Sequence, residues 1–211
     1  MIRDKKVKIC GMRDADNIRE IAALSPDYMG FIFYDKSPRS AIGMPQSNLS
    51  LLSSATRPVG VFVNESTETI HAICNAYGID TVQLHGAETP LFCRELQSRG
   101  LHVWKAFGLD NSFDFSSLTP YKDAVDMFVF DTKTSAYGGS GQRFDWNILD
   151  RYTLEVPYML SGGIGPESTD DVLRSLSRPH LAGIDLNSRF ESSPGFKDSE
   201  KLTNFALTLT K

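Results

Sequence analysis

Short runs of apolar residues, mostly β-branched or aromatic, recur along the whole chain. Eight of them are four to seven residues long, and their starting points are separated by about 21–31 residues. Runs that stay apolar, rather than alternating with polar residues, are typical of parallel strands covered by helices. Each interval leaves room for one strand and one helix. The predicted strands are Val7–Cys10, Tyr28–Tyr34, Val59–Val63, Thr81–Leu84, His102–Phe107, Met127–Asp131, Val156–Leu160 and Leu181–Leu186.

The segments between these strands carry apolar residues at helical spacing. Between Ile70 and Tyr77 such residues fall at positions i, i+3, i+4 and i+7. In the next interval Thr89 is the expected N-cap, Pro90 the first helical residue, and Gly100 follows the end. Further helices are expected near residues 14–24, 46–54, 112–121 and 144–152, after Pro166 and from about Asp198. The helical pattern is weak near residues 46–54 and 112–121, and the helix near residues 144–152 is short.

Eight strands that alternate with eight helices predict a fold of the α/β class, a single (β/α)8 TIM barrel. The chain has 211 residues, and we expect one domain over residues 1–211 because no change in composition marks a boundary. An open, doubly wound sheet is the alternative that the pattern leaves open.

Composition narrows the class of protein without indicating its chemistry. Hydrophobic residues make up 41% and charged residues 23% of the chain, as in ordinary globular proteins. The net charge of −4 and the lack of a basic stripe predict no nucleic-acid partner. No apolar run is long enough to cross a membrane, and the first ten residues lack the apolar stretch of a signal peptide. The three cysteines fit no disulfide or zinc pattern, so we expect a cytoplasmic protein.

In a barrel of this kind, function lies where strands end and the following loops begin. Cys10 ends the first strand and could act as a base or a nucleophile, or simply fill space as a small buried residue. Lys8 precedes it by two residues, on the same face of the strand, and could favour the thiolate. Cys74 and Cys93 fall on helical faces and are expected to pack in the core.

Asp131 ends the sixth strand. A carboxylate at that position is costly to bury unless it is paired or used, so it is a candidate acid or base. The other possibility is a turn residue that hydrogen-bonds Thr132 or Thr134. The glycine-rich segment that follows, up to Gly141, is interpreted as a flap that closes over a substrate.

Gly162 and Gly163 follow the seventh strand and precede a helix, which favours a phosphate site over a plain turn. In these barrels the loops after strands seven and eight commonly bind phosphate. Arg39, after strand two, could bind a substrate carboxylate or phosphate, or be a solvated loop charge. Asp185 ends strand eight as a second carboxylate candidate, with a salt-bridged role as the alternative. His85 ends strand four and is expected to be an ordinary loop histidine. No metal site is expected.

A set of short motifs, spread from about residue 8 to Asp198, resembles the phosphoribosylanthranilate isomerase family. The combination is specific, although the first motif alone would not be. The motifs are Lys8–Gly11, Gly30–Tyr34 with Ser37–Arg39, Val59–Asn64, Val82–Gly86, Asp131–Thr134, Tyr137–Gly141, Phe144–Trp146 and Ser161–Gly163.

The resemblance implies a barrel enzyme of tryptophan biosynthesis. Its reaction is a cofactor-free Amadori rearrangement of N-(5-phosphoribosyl)anthranilate to 1-(2-carboxyphenylamino)-1-deoxyribulose 5-phosphate. The implied partner is this phosphosugar, and the implied assembly is a monomer or homodimer. By resemblance Cys10 is the general base and Asp131 the general acid, Arg39 lies near the anthranilate carboxylate, and Asp185 lies near the bridging nitrogen. The implied phosphate site comprises Gly162, Gly163, Asn187 and Ser188.

One departure from the family affects the phosphate loop. Where the family usually has Ser-Ser-Gly-Val-Glu after the aspartate of strand eight, this chain has Asn187, Ser188, Arg189, Phe190 and Glu191. Asn187 is expected to offer its backbone N–H and its side chain to the phosphate. Arg189 cannot easily adopt a backbone that only glycine tolerates, so we expect a different loop path, with the Arg189 cation either at the phosphate or turned away.

The implied reaction needs an acid at the furanose ring oxygen and a base for the proton on C2′. Asp131 must then be protonated at rest and Cys10 at least partly ionised, so both need help from their surroundings. Other phosphosugar barrels, such as indole-3-glycerol-phosphate synthase or a histidine-pathway isomerase, are less well supported because strand one ends in Cys10. A binding barrel without activity is the alternative from a different class.

Overall fold

Eight parallel strands close into a barrel. A computed structural model describes residues 4–133 and 144–210. The strands pair in sequence order, and the eighth pairs with the first, which excludes an open sheet and confirms the predicted (β/α)8 barrel. The strands are β1 (Lys6–Cys10), β2 (Tyr28–Ile32), β3 (Arg57–Phe62), β4 (Thr81–Leu84), β5 (His102–Leu109), β6 (Met127–Thr132), β7 (Tyr158–Leu160) and β8 (Leu181–Leu186).

The predicted strand positions are confirmed with small shifts at the ends. β4 and β8 have the predicted bounds. β7 begins at Tyr158 rather than Val156, because the intervening Pro157 has no N–H to donate to a strand ladder. β5 continues two residues beyond Phe107, since Gly108 and Leu109 pair with the end of β6. A short antiparallel hairpin follows the barrel, formed by β9 (Glu191–Ser193) and β10 (Phe196–Lys197).

The expectation of eight α-helices is wrong in three intervals. The predictions near 46–54, 112–121 and 144–152 correspond to 3-10 helices at Gln46–Leu51, Phe115–Tyr121 and Trp146–Arg151. Proline accounts for one of these, because Pro120 lies inside the second, where it cannot donate to a helical ladder. In the described ranges the α-helices are α1 (Ala15–Ala22), α2 (Thr67–Tyr77), α3 (Pro90–Ser98), α4 (Thr169–Ser175) and α5 (Ser199–Leu209).

Side-chain caps set where most of these helices begin. The side chains of Asp14, Ser66, Thr89 and Asp198 each accept a hydrogen bond from a backbone N–H of the first turn of α1, α2, α3 and α5, respectively. Thr89 and Pro90 have the predicted roles, and Gly100 follows α3 with a φ of +88°. The caps therefore fix the points at which the loops above the strands turn into helices.

The interior has two apolar layers and one polar layer. The larger apolar cluster lies between the strands and the helices and includes the buried Cys74 and Cys93, as predicted. A smaller cluster around Val59, Trp104 and Met159 is separate from it. Polar side chains are also buried among the strands, among them Lys8 on β1, Gln83 on β4 and Asp185 on β8. In the described part of the chain, no helix is long and apolar enough to span a membrane.

The single domain over residues 1–211 stays a prediction. A matched pair of substitutions tests whether the whole chain unfolds in one cooperative transition. Leu160 in β7 is fully buried, whereas Leu91 is 70% exposed. We expect Leu160→Ala to lower the free energy of unfolding by about 2–5 kcal/mol, since it leaves a cavity in the core. Leu91→Ala should change it by less than about 0.5 kcal/mol.

Chemical denaturation followed by both fluorescence and circular dichroism provides the measurement. One domain predicts coincident, single transitions that shift together in the Leu160 variant. Two separate transitions, of which only one moves, would show that the chain folds as more than one unit.

Candidate active site

The predicted catalytic and binding residues converge at the carboxyl ends of the strands. Cys10, His85, Asp131 and Asp185 come from β1, from the residue after β4, from β6 and from β8. His85 Nε2 lies 3.5 Å from Asp131 Oδ2. Asp185 interacts electrostatically with both of these residues and with Cys10. The four side chains therefore lie near one another at the carboxyl ends of the strands.

Cys10 occupies its position because its neighbours are glycines. The residue is buried, with 4% of its surface exposed. Gly30 is its partner in the β1–β2 register, and a Cβ on Gly30 would lie only 2.6 Å from the Cys10 Sγ. Gly11 has a φ of +81°, and its N–H donates to the Gly30 carbonyl oxygen at 2.9 Å. Two glycines thus make room for the thiol and turn the chain directly after it.

Beneath Cys10, a buried ion pair joins β1 to β8. Lys8 Nζ lies 2.9 Å from Asp185 Oδ2, and neither side chain is appreciably exposed. Ser161 donates a longer hydrogen bond of 3.4 Å to the same oxygen. The other oxygen, Asp185 Oδ1, is buried and has no hydrogen-bond partner within the described residues. A buried acceptor without a donor is costly, so this atom is suited to accept a hydrogen bond from a ligand.

The surroundings of Cys10 favour the neutral thiol. Burial raises the pKa of Cys10, Lys8 and Lys197 act to lower it, and Asp185 acts to raise it. Lys8 therefore has the predicted influence, but burial outweighs it. These surroundings do not supply the partial ionisation that the implied reaction needs, because the nearby cations are themselves paired with carboxylates.

Asp131 makes the hydrogen bond of a turn residue and leaves one carboxylate oxygen outside that bond. Its Oδ1 accepts a hydrogen bond of 2.7 Å from the backbone N–H of Thr132, as a turn residue would. Its Oδ2 faces His85 and the mouth of the barrel. Burial raises the pKa of Asp131, although the Thr132 hydrogen bond and Lys8 oppose this shift. The carboxyl group is thereby moved toward the protonated form that a general acid requires.

His85 lies closer to the site than an ordinary loop histidine would. Burial and the nearby cations of Lys105 and Lys8 lower the pKa of His85 to about 4. The imidazole is therefore neutral at neutral pH, and its contact with Asp131 is not an ion pair. A neutral ring beside Asp131 adds no positive charge, which is consistent with the raised pKa of that carboxyl group.

Gly162 and Gly163 both have positive φ values, of 82° and 69°. A Cβ on Gly162 would lie 2.6 Å from Asp131 Oδ1 and 2.5 Å from the backbone nitrogen of Thr132. The loop after β7 is thus packed against Asp131. The backbone N–H groups of Gly162, Gly163 and Ser188 donate no hydrogen bond to the described residues. These donors from two adjacent loops are available to an anion.

The loop after β8 places Asn187 and Arg189 in different surroundings. Asn187 Oδ1 accepts a hydrogen bond of 2.9 Å from Lys197 Nζ, which holds this side chain without using its Nδ2 donor. Arg189 lies in a short 3-10 turn without a positive φ, so the backbone there does not need glycine. Its side chain is 48% exposed and lies 3.9 Å from Glu167.

Arg39 is neither free nor solvated. Its Nε and Nη2 donate three hydrogen bonds of 2.8–3.1 Å to the carboxylate of Glu191 on β9. The Nη1 atom has no hydrogen-bond partner within the described ranges. Glu191 also accepts from Lys197, which is completely buried. These contacts tie the loop after β2 to the hairpin after β8.

Sequence reasoning missed several residues of this site. Glu191 and Lys197 lie in a hairpin outside the barrel, where charged residues are normally solvated, and no local pattern marks them. Gln83 is buried on β4, and its Oε1 has no partner within the described residues; a polar residue inside an apolar strand was the available signal. Gly30 could have been found only from the register of β1 against β2.

The predicted flap after Asp131 falls largely on residues 134–143 and so lies outside the described residues. Within residues 4–133 and 144–210, no group of three or more His, Cys, Asp or Glu side chains is arranged to hold a metal ion.

Comparisons with known proteins agree on one family. The family model described as N-(5'phosphoribosyl)anthranilate (PRA) isomerase matches residues 7–207. An N-(5'-phosphoribosyl)anthranilate isomerase of Parabacteroides distasonis is 47% identical over 201 residues, covering 94% of this chain and 90% of that protein.

Two solved structures are similar over nearly the whole chain. One is described as mutually generated monomers of the dimeric phosphoribosylanthranilate isomerase of Thermotoga maritima, with a TM-score of 0.75, 30% identity and 98% of each chain covered. The other is a phosphoribosylanthranilate isomerase in complex with reduced 1-(o-carboxyphenylamino)-1-deoxyribulose 5-phosphate. It has a TM-score of 0.78 and 29% identity, and the match covers 97% of this chain and 98% of that one.

The raised pKa of Cys10 predicts how its thiol titrates in the protein without added ligand. Because burial opposes ionisation, the thiolate should appear at a higher pH than in an ordinary cysteine. The ultraviolet absorbance of the thiolate, taken as the difference between the wild type and Cys10→Ala, measures this titration. The same difference for Cys74→Ala is the control, since burial raises the pKa of Cys74 to about 12. A Cys10 midpoint at or below that of an ordinary cysteine would refute the account of its surroundings.

Proposed function

The chain belongs to the N-(5'-phosphoribosyl)anthranilate isomerase family, and from that premise we propose how the residues at the barrel mouth divide the work of the reaction. The family's reaction belongs to tryptophan biosynthesis. It isomerises N-(5-phosphoribosyl)anthranilate, an aldose derivative, to the ketose 1-(2-carboxyphenylamino)-1-deoxyribulose 5-phosphate. The reaction opens a sugar ring and moves one proton from carbon, so it requires one acid and one base.

Asp131 is the general acid of this proposal. Its Oδ1 is occupied by the Thr132 N–H, so the proton resides on Oδ2, which faces the cavity. Transfer of that proton to the furanose ring oxygen breaks the C1′–O bond and leaves a cationic Schiff base at the bridging nitrogen. The carboxylate that remains then faces the neutral ring of His85, which can donate an N–H to it.

Cys10 is the general base. Its thiol must first release its proton to solvent water, which burial disfavours because it raises the pKa of Cys10. A cationic Schiff base beside the sulfur supplies the opposite charge that stabilises a thiolate. The thiolate then takes the proton from C2′, the electron pair moves to the nitrogen, and the resulting enolamine tautomerises to the ketone. Ionisation of Cys10 is thereby coupled to ring opening.

Asp185 and Arg39 are the proposed binding residues for the two ends of the aminobenzoate. The unpartnered Oδ1 of Asp185 can accept the N–H of the bridging nitrogen, and its negative charge favours the cationic Schiff base. The free Nη1 of Arg39 can donate to the aromatic carboxylate. Both contacts fix the nitrogen and the ring on the side of the mouth that Cys10 occupies.

The phosphate is proposed to bind between the loops after β7 and β8. Its ligands would be the backbone N–H groups of Gly162, Gly163 and Ser188, together with Asn187. Because Gly162 is packed against Asp131, a phosphate at this loop would set the distance between the sugar and the acid.

One observation carries the proposal most strongly. Cys10 and Asp131 come from strands that lie across the mouth from one another. Cys10 interacts electrostatically with both Lys8 and Asp185, and Asp131 interacts with the same Lys8. The two groups can therefore act on one bound sugar from two sides.

We further propose that the chain works in the cytoplasm, without cofactor, as a monomer or a homodimer. The Thermotoga maritima relative is described as dimeric, and its structure as one of monomers generated from it, so both states occur on this fold. The three buried, unpaired cysteines suit a reducing compartment. Analytical ultracentrifugation tests the assembly, and a tetramer or a larger species would refute it.

The catalytic assignments predict large losses of turnover in two variants. Cys10→Ala and Asp131→Asn should each lower kcat by about 10²–10⁴-fold, the usual contribution of one acid or base, with little change in KM. The loss of substrate fluorescence in a steady-state assay measures both constants. Cys74→Ala and Asp123→Asn are the matched controls, since Cys74 packs in the core and Asp123 is exposed.

Near-normal turnover in both variants would refute the assignment of Cys10 as the base and Asp131 as the acid. If the wild-type protein binds the substrate but does not consume it, the binding barrel without activity is the better description.

A further inference from the structure

A buried cluster of three charged side chains lies next to the mouth, outside the groups that carry out the proton transfers. We refer to Arg39, Glu191 and Lys197 as the Arg39 cluster. Their side chains are 10%, 5% and 0% exposed, so their charges are largely shielded from water. With two cations and one carboxylate, the cluster carries one surplus positive charge.

The cluster is held rigidly from outside the barrel. Asn17 on α1 is completely buried; its Nδ2 donates to the backbone oxygen of Lys197 at 2.8 Å, and its Oδ1 accepts from the backbone N–H at 2.7 Å. The Lys197 ammonium then reaches Glu191 Oε1 and Asn187 Oδ1. The Glu191 carboxylate in turn accepts hydrogen bonds from Nε and Nη2 of Arg39. The chain of contacts therefore fixes which nitrogen of Arg39 remains free.

The cluster also lies directly beside the base. A Cβ on Gly11, the residue after Cys10, would lie 2.7 Å from the Arg39 Cδ and 3.0 Å from Asn187 Oδ1. An anion that approaches the free Nη1 of Arg39 therefore does so close to Cys10. Without Lys197, Glu191 would neutralise Arg39, and a carboxylate there would meet no net positive charge.

We propose that Lys197 is a specificity-determining residue for the aromatic carboxylate of the substrate, because it supplies the surplus positive charge that lets the Arg39–Glu191 pair bind a second carboxylate. Arg39 makes the contact, Glu191 orients Arg39, and Lys197 offsets the charge of Glu191. This inference rests on the proposed role of Arg39 in the preceding section.

The charge account predicts opposite effects for two variants of the cluster. Lys197→Met removes a cation and leaves a neutral pair, so it should weaken carboxylate binding about tenfold. Glu191→Gln removes an anion and raises the surplus, so it should tighten carboxylate binding several-fold. If the cluster were only a scaffold, both substitutions would loosen Arg39, and both would weaken binding.

The experiment is calorimetric titration of the full chain with two stable ligands. One is reduced 1-(o-carboxyphenylamino)-1-deoxyribulose 5-phosphate, and the other is the same compound without the carboxyl group. Lys197→Met and Glu191→Gln should shift the affinity for the first ligand in opposite directions and leave the second unchanged. Lys201→Met, which removes an exposed cation from α5, should change neither. Circular dichroism checks that each variant is folded.

Arg39→Met separates this inference from the proposed function. It should abolish the difference in affinity between the two ligands; if the difference persists, the role of Arg39 and the inference built on it both fail. If Arg39→Met behaves as expected but Glu191→Gln weakens binding, only the inference is overturned. Should Lys197→Met not fold, the sign of the Glu191→Gln effect decides alone.

Discussion

The ion pair between Lys8 and Asp185 is the interaction on which the rest of the site depends. It joins the first strand to the last at 2.9 Å, and so lies across the seam where the barrel closes. Two charges removed from water are stable only when they are paired, and breaking such a pair by removing one partner is strongly destabilising. The pair is therefore part of the barrel wall and, at the same time, the floor of the proposed active site.

Because both partners lie under Cys10, the same pair governs the chemistry above it. Lys8 favours the thiolate, Asp185 opposes it, and burial decides in favour of the neutral thiol. Asp185 Oδ1, which has no partner among the described residues, can accept one more hydrogen bond. A cationic intermediate at that position would satisfy the acceptor and favour the thiolate of Cys10. In the proposed mechanism Cys10 is thus a poor base at rest that becomes a better one when the reaction reaches the step that needs it.

Two other buried lysines hold the rim in the same manner. Lys105 Nζ donates to the carbonyl oxygens of Leu84, Gly86 and Ala106, and lies 3.2 Å from Glu88. On the opposite part of the rim, Lys197 holds Glu191 and thereby Arg39. Each lysine fixes loops that no regular strand pairing reaches. Burial makes these pairs rigid, and it is also why their charges act on the nearby titrating groups.

The sequence alone predicts what depends on local pattern. The eight strands, the barrel, the helix cap at Thr89 and the positions of Cys10, Asp131 and Asp185 follow from apolar runs, caps and strand ends. The 3-10 helices were missed because the spacing of apolar residues does not show where a helical hydrogen bond is lost, as it is at Pro120. The Arg39–Glu191 contact joins residues 152 positions apart, and only the folded hairpin brings them together. The direction of the Cys10 shift likewise depends on burial in three dimensions.

The central claim is that one sugar binds between Cys10 and Asp131 above the Lys8–Asp185 pair. The most direct test is a crystal structure of this chain with reduced 1-(o-carboxyphenylamino)-1-deoxyribulose 5-phosphate. The account predicts the Cys10 sulfur and the Asp131 Oδ2 on opposite sides of the sugar chain, with Asp185 Oδ1 accepting a hydrogen bond from the bridging nitrogen. A bound ligand whose sugar contacts neither Cys10 nor Asp131 would contradict it.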